Sequence, residues 1–293
     1  MSAKLLIPRT FNVNNTKVIM IVSVIIPTFN SEKTLDAVLL SVKRQTYKKI
    51  EVIIVDNLSD DLTIEIARKY GAKIFQIDAS RSKARNYGAK KAMGNFFLFI
   101  DSDIELTPEV IEGCVNKISA GFDAVVLPEI IVGEGFWAKC RALEAMCYLD
   151  DPGIIVCPRF FKKEVFEEIG GYDENIEAGE DWDIRERLKD EGFTMKQIVE
   201  LTMHNEGRVS LLNRVKKKYR YGLMIEKYIK KNKHQDIIKK QFPLFRVAYY
   251  KNWKLLMSQP IYASGFLLMK FLETLAVTLA FIINKLYKPK LKR

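Results

Sequence analysis

Two carboxylates separated by a single residue, Asp101-Ser102-Asp103, follow the apolar run Phe96 to Ile100. Alternate residues of an extended backbone point the same way, so both acids can face one ligand. So few hard oxygen donors suit Mg2+ or Mn2+ shared with substrate phosphates; a solvated acidic turn is the bland reading. Asp56 closes a second apolar run and precedes Asn57, Ser59 and Asp60. Its carboxylate can accept hydrogen bonds from a base or a ribose, while Asp60 or Asp61 suits a helix cap. Arg81 and Arg85 lie four apart after Ser80, which places both on one helix face, directed at phosphate or at solvent. Glu180-Asp181-Trp182-Asp183 opens an amphipathic run. Its acids can serve the helix dipole, or a carboxylate held beside Trp182 in a cleft can gain the basicity of a general base. His204 stands alone, and a lone histidine is more often structural than a ligand.

These residues need elements to hold them. The runs Val22 to Ile26, Glu51 to Val55, Ala72 to Gln76, Phe96 to Ile100 and Ala124 to Leu127 are short and almost continuously apolar. That is the pattern of strands buried on both faces. Between them Ser31 to Arg44, Asp61 to Tyr70, Ser82 to Met93 and Pro108 to Ser119 have helical period, the last with Thr107 as its cap. The alternation predicts an α/β fold with a doubly wound, mostly parallel sheet, whose ligands bind beyond the carboxyl ends of the strands. Pro27-Thr28-Phe29-Asn30, Asp56-Asn57 and Asp101-Ser102-Asp103 all fall on that rim. Neither G-x-G-x-x-G nor G-x-x-x-x-G-K-[ST] occurs, which argues against a dinucleotide oxidoreductase or a P-loop ATPase. The four cysteines form no C-x-x-C pair and read as reduced thiols.

The 293 residues carry a net charge of +11, unevenly spread. Residues 1 to 204 hold 26 basic and 32 acidic side chains, residues 205 to 293 hold 21 and 4, so a −6 body precedes a +17 tail. A basic tail seeks a polyanion, either nucleic acid or an anionic membrane. The tail interleaves Phe242, Phe245, Tyr249, Tyr250 and Trp253 with Arg246, Lys251 and Lys254. Leu211, Leu212, Val215 and Tyr219 mark one side of a helix starting at Ser210. Gly265 to Ile283 is 19 residues with only Lys270 and Glu273 charged, too apolar for a nucleic-acid groove. Lys285, Lys288, Lys290, Lys292 and Arg293 follow it, so spanning would set basic clusters on both sides of a bilayer. A monotopic or peripheral helix on an anionic surface is therefore favoured over one transmembrane helix at 265–283, and over a buried core helix pairing Lys270 with Glu273.

In order along the chain, Ser23-Val24-Ile25-Ile26-Pro27-Thr28-Phe29-Asn30, Val55-Asp56-Asn57, Ala84-Arg85-Asn86-Tyr87-Gly88, Asp101-Ser102-Asp103, Arg159-Phe160-Phe161, Gly170-Gly171-Tyr172-Asp173-Glu174 and Glu180-Asp181-Trp182-Asp183 together resemble the family 2 glycosyltransferases of GT-A fold. The resemblance covers about residues 22 to 207. It implies that Pro27, Thr28 and Asn30 line a nucleotide pocket, Asp56 contacts the base, Arg85 lies near the diphosphate, and Asp101 and Asp103 hold metal and sugar nucleotide. It implies Asp181 as general base for inverting transfer and His204 near the metal or diphosphate. Arg159, Glu180, Trp182 and Arg220 are candidates for acceptor or phosphate contacts. The Gln-x-x-Arg-Trp signature of processive synthases is absent, the comparable region reading Arg214 to Gly222. Transfer of one or a few sugars is therefore expected.

The organisation expected is a tail over 1–21, a glycosyltransferase domain over 22–207 and a basic membrane-associating region over 208–293. The function expected is inverting transfer from a nucleotide sugar, with Mg2+ or Mn2+, to a lipid-linked saccharide or glycolipid on the cytosolic face of the cell membrane, with no nucleic-acid partner. A nucleotidyltransferase on a similar sheet, which releases pyrophosphate, and a catalytically silent membrane scaffold that binds sugar nucleotide are the alternatives.

Overall fold

The computed structural model describes residues 20–149, 157–231 and 246–287. The amino-terminal tail, Phe242, Phe245 and the basic residues from Lys288 onward lie outside them. The expected elements form in the expected order, each within a few residues of its predicted ends: β1 (Val22–Thr28), α1 (Leu35–Lys43), β2 (Ile50–Asp56), α2 (Thr63–Lys69), β3 (Lys73–Gln76), α3 (Arg81–Lys91) and β4 (Phe96–Phe99). A short β5 (Ile104–Leu106), which the apolar pattern does not announce, precedes α4 (Val110–Ser119) and β6 (Ala124–Val126). Next come β7 (Glu129–Glu134), α5 (Phe136–Met146), β8 (Pro158–Lys162), α6 (Lys163–Glu168), α7 (Glu180–Asp190), β9 (Met195–Gln197), β10 (Thr202–Arg208), α8 (Leu211–Met224) and α9 (Glu226–Lys231). Two short helices, Val247–Lys251 and Trp253–Ser258, lead into a long C-terminal helix, Pro260–Tyr287.

The main sheet has the order β3-β2-β1-β4-β8-β6-β9. β1 runs parallel to β2 and β4, and β8 is inserted antiparallel between β4 and β6. Alternate side chains enter opposite cores, as a two-residue period requires. Val24, Ile26, Ile54 and Leu98 pack with Val38, Leu39, Val110 and Ile111 of α1 and α4. Ile25, Ile53, Val55, Phe97 and Phe99 pack with Ala84, Phe166, Ile184 and Leu188 of α3, α6 and α7. Burying each of the valine, leucine, isoleucine and phenylalanine side chains contributes roughly 1.5–3 kcal/mol before chain entropy is counted. α3 comes close to the sheet because Gly88 has no side chain; a Cβ there would run into Ile25 and lie 3.2 Å from Val55 Cγ2. Thr107 does not cap α4. Its hydroxyl donates to the Leu201 carbonyl at 2.9 Å, and Gln45 Oε1 accepts from the Ile111 amide at 3.0 Å instead.

A second, three-stranded sheet has the order β5-β10-β7, with β10 antiparallel to β5 and parallel to β7. Beyond it α5, α8 and the C-terminal helix pack together. Glycines set their spacing: a Cβ on Gly222 would sit 2.5 Å from the Val277 carbonyl oxygen, and one on Gly265 would sit 2.6 Å from the Phe136 ring. Ser210 caps α8, its hydroxyl accepting from the Asn213 amide, but Leu212 points to solvent rather than joining Leu211. The C-terminal helix runs past the expected 265–283 at both ends and is long and apolar enough to cross a membrane, with a mean hydropathy of 2.1. The Lys270–Glu273 pair, which belongs to the less favoured core-helix reading, forms at 2.7 Å and is buried against the body.

Candidate active site

β1 and β2 are in register from Val22↔Ile50 to Thr28↔Asp56, so both strands end at the same level. There the buried Asp56 carboxylate accepts from the Thr28 hydroxyl at 2.8 Å, from the Ser59 hydroxyl at 2.5 Å and from the Ser59 amide at 2.9 Å. Asn30 receives the Asp60 amide and gives its own amide to Ser59. Asn30 (φ 47°) and Leu58 (φ 57°) are the non-glycine residues in left-handed backbone among those described. Such conformations persist where surrounding bonds over-determine them, a pattern common at ligand sites. Pro27 is partly buried beside them. The four residues named for the nucleotide pocket are thus assembled in one place.

Arg85 is the centre of the site. Its side chain is fully buried, with Nη2 2.9 Å from Asp101 Oδ1 and Nη1 2.9 Å from Asp181 Oδ1. Glu180 lies 3.7 Å from the same Nη1, and the Tyr172 ring lies 4.9 Å beneath the guanidinium. Burial alone would lower this group's pKa, but Asp181, Tyr172, Asp101 and Glu180 outweigh burial and hold it well above its ordinary value. Burial would raise the Asp101 carboxyl; Arg85, Arg159 and Arg81 prevail and hold it far below the carboxylate range. Glu180 goes the other way, raised by burial and then by the neighbouring Asp181 charge. One guanidinium therefore ties the end of β4 to the first turn of α7.

That turn is placed by backbone chemistry. Gly179 adopts φ 93°, and Tyr228 would stand 3.0 Å from any Cβ on it. Gly170 and Gly171 are also left-handed, and the Asn86 side chain reads the Tyr172 backbone in both directions, donating to its carbonyl at 2.8 Å and accepting from its amide at 2.9 Å. The Gly-Gly-Tyr segment thereby seats the ring under Arg85, a role its composition does not announce.

The second acid of the D-x-D pair looks elsewhere. Asp103 Oδ2 is 3.2 Å from His204 Nε2, and His204 Nδ1 is 2.7 Å from Glu129 Oε1. Pairing of β10 with β5 and β7 brings these three together, His204 standing opposite Ile104 and Ile131. Burial would lower the imidazole pKa, but hydrogen bonds to Asp103 and Glu129 raise it to about 10. Glu129 was not foreseen; it opens β7 directly after Leu127-Pro128, and no spacing marks it. Among the described residues no group of three or more acidic, His or Cys side chains is arranged to hold a metal ion. Asp103 Oδ1, however, is a buried carboxylate oxygen with no hydrogen-bond partner. An anionic oxygen left over beside an imidazole nitrogen fits a hard divalent ion whose other ligands come from substrate phosphates. Asp101, by contrast, has its oxygens turned to Arg85 and to Arg159, the latter at 3.5 Å.

A cavity of about 640 Å3 opens in front of these groups. Glu180, Asp181, Trp182, Arg81 and Arg159 line it together with parts of α5, α8 and the C-terminal helix. Arg220 is exposed on α8 and does not line it.

The sequence profile described as Glycosyl transferase family 2 matches residues 23–172. The chain is 36% identical over 114 residues to the poly(ribitol-phosphate) beta-N-acetylglucosaminyltransferase TarS of Staphylococcus aureus, which is 36% of this chain and 20% of that protein. It is 34% identical over 117 residues to the cholesterol galactosyltransferase of Borreliella burgdorferi, 38% of this chain and 33% of that one. These aligned stretches span about a fifth and a third of the two relatives. In three dimensions the chain is similar to mannosyltransferase PcManGT from Pyrobaculum calidifontis, solved with GDP-Man and Mn2+, at a TM-score of 0.59 and 16% identity, covering 92% of this chain and 88% of that one. TarS residues 1–349 with UDP align at a TM-score of 0.55 and 20% identity, covering 92% and 91%. At those identities the likeness shows the fold, the GT-A α/β arrangement expected from the sequence. With its profile match extending over half its length, the chain belongs to glycosyl transferase family 2.

Proposed function

We propose that this glycosyltransferase moves a sugar, with inversion, from a nucleoside-diphosphate sugar to a hydroxyl of a lipid-linked saccharide or glycolipid at the cytosolic membrane face. The observation that carries the reading is Arg85, one buried guanidinium joining Asp101 on the donor rim to Asp181 at the cavity wall. The Thr28, Asn30, Asp56 and Ser59 cluster receives the nucleoside. Asp103, and His204 once its Nε2 proton is displaced, would hold a divalent ion, which when bound would neutralise charge on the departing diphosphate. Asp181, oriented by Arg85, accepts the proton of the acceptor hydroxyl as its oxygen bonds to the anomeric carbon. The carbon–oxygen bond to the diphosphate breaks on the opposite side, the leaving oxygen keeps the electron pair, and configuration inverts. Trp182 supplies an apolar floor beside that carboxylate.

Support for membrane attachment comes from two faces of the C-terminal helix. Ala263, Phe266, Met269, Glu273, Ala276 and Ala280 are buried on the body, while Ile261, Leu268, Phe271, Leu275, Ile282 and Leu286 are exposed. A spanning arrangement would strip Lys270 and Glu273 of Glu144 and Arg214, their partners at 2.8 and 2.7 Å. An in-plane arrangement keeps those pairs and offers the free apolar face to lipid. We infer three working parts: a tail, a catalytic body to about residue 207, and a membrane-associating region from 208 onward.

The test is Asp181→Asn, assayed by release of nucleoside diphosphate with acceptor glycolipid present. Loss of a general base lowers kcat by about 10²–10⁴-fold. Near-wild-type turnover would refute the assignment, and release of pyrophosphate would replace it with nucleotidyl transfer.

A further inference from the structure

The cavity that holds Asp181 is larger than a sugar requires, and its remaining wall has a chemistry of its own. α8, its C-cap Ile225 and the C-terminal helix contribute Tyr221, Ile225, Val277 and Phe281, an apolar strip. α5, α8 and the C-terminal helix also contribute Arg141, Arg214, Lys218 and Lys270. Three of these cations are neutralised within the protein. Arg141 pairs with Glu144 and Glu206, Arg214 with Glu206 at 3.0 Å and Glu273 at 2.7 Å, and Lys270 with Glu144 and Glu273. Lys218 has no hydrogen-bond or ion-pair partner among the described residues; its Nζ lies 5.5 Å from the Tyr221 ring centroid. Burial, and then the charges of Lys270, Arg214 and Arg141 working against Glu273, bring its pKa down to about 8. Among the described residues, then, no carboxylate lies within ion-pair distance of this cation.

We propose that this half of the cavity binds the phosphate of a lipid-phosphate-linked acceptor, with Lys218 as its counter-cation and the hydrocarbon chain along Tyr221, Ile225, Val277 and Phe281. The inference rests on Asp181 marking the reacting end of the same cavity. The occupant is chosen by charge and by position. Soluble anionic glycans supply no hydrocarbon for the apolar strip, and the C-terminal helix that walls the cavity shows its other face, Phe271 and Leu275, to the outside. A lipid can thus keep its chain in apolar surroundings while its phosphate is drawn to Lys218 and its glycan to Asp181.

Binding to the full chain in a neutral detergent, followed through tryptophan fluorescence because Trp182 lines the cavity, tests this directly. Farnesyl phosphate, farnesol and inorganic phosphate are the probes. Wild type binds farnesyl phosphate at least tenfold more tightly than either other probe. Lys218→Gln lowers the farnesyl phosphate affinity about 10- to 100-fold, the worth of one charge-assisted hydrogen bond. Lys218→Arg restores most of it, and farnesol affinity stays the same in all three. Melting temperature serves as the folding control, since Lys218→Gln removes a cation crowded by like charges and so melts no lower than wild type. Equal affinities for farnesyl phosphate in wild type and Lys218→Gln would overturn the proposal, as would inorganic phosphate binding as tightly as the lipid. The Asp181 reading is judged separately by transfer: unchanged farnesyl phosphate binding beside an inactive Asp181→Asn removes this subsite alone, and the reverse result removes the base alone.

Discussion

Arg85→Lys separates two roles that the geometry allows for the buried guanidinium. Arginine spans two carboxylates, 2.9 Å from each, with two different nitrogens of a rigid fork. A single ammonium cannot keep both contacts. Losing one charge-assisted hydrogen bond costs roughly 1.5–3 kcal/mol. Asp101 retains Arg159 at 3.5 Å, and the lysine keeps one pair, so no carboxylate is left without a cation nearby. Against a typical stability of about 5–15 kcal/mol the variant folds and melts several degrees lower. Arg85→Met removes both pairs, costs about 3–5 kcal/mol and serves as the upper bound. The catalytic effect of Arg85→Lys comes from releasing Asp181 from its orientation, and a misplacement of about 1 Å costs on the order of 10² in rate. Steady-state kinetics at saturating donor, read as nucleoside diphosphate released, should show kcat down about 10- to 100-fold with donor KM changed less than threefold. Wild-type kcat in a variant that melts lower would make Arg85 a purely structural residue. A tenfold rise in donor KM at unchanged kcat would place its charge on the diphosphate instead of on the base.

Asp103→Asn and His204→Ala should each weaken Mn2+ binding measured by calorimetry in the presence of nucleoside diphosphate by at least tenfold; unchanged affinity in both would move the ion elsewhere. Asp123 joins β6 to the loop before β9, receiving Lys162 Nζ at 2.8 Å and the Thr194 amide at 3.0 Å. Burial would raise its carboxyl, but Lys162 and Thr194 hold it below the ordinary value. A depressed folded pKa contributes stability above the unfolded pKa of about 3.9 and loses it as pH falls further. Asp123→Asn should therefore cost about 1.5 kcal/mol near neutral pH. That gap to wild type should narrow below about pH 4, and a constant gap from pH 7 to 3 would refute the pairing. Phe271→Glu with Leu275→Glu should abolish co-sedimentation with vesicles of anionic phospholipid while leaving the melting temperature within about 2 °C of wild type, because both side chains are exposed. Undiminished sedimentation would reject the in-plane helix.

The parallel half of the sheet was legible because a strand buried on both faces leaves an unbroken apolar run, as Val22 to Ile26 and Phe96 to Ile100 do. The Thr28–Asp56 contact follows from strands ending in register, which the same pattern implies. β7, β8 and β10 were not legible. Thr202–Arg208 reads Thr-Met-His-Asn-Glu-Gly-Arg, with no alternation to mark it, and its pairing with β5 and β7 joins segments about 70 to 100 residues apart. For the same reason His204 could be named but not its neighbour Glu129. The D-x-D spacing suggested two acids on one ligand, whereas backbone direction sends Asp101 to Arg85 and Asp103 to His204. Lys270 and Glu273 announced their own pairing at i, i+3, but Glu144 and Arg214, which complete the cluster, come from distant helices.

That cluster bears on how the protein is made. Ribosomes extend a chain at roughly 5–20 residues per second, so about 6–25 s separate the synthesis of Glu144 from that of Lys270. By the time the C-terminal helix emerges, the acid and the arginine that receive its charges are already outside the ribosome and have had time to fold. The helix then meets two competitors, an insertion machinery that reads its apolarity and a surface that offers ion pairs for Lys270 and Glu273. Each charge at the centre of a span costs about 2.5–3.5 kcal/mol on insertion scales, so the two together favour capture by the folded body. Replacing Lys270 and Glu273 by leucine would reverse that preference and turn a docked helix into a membrane span.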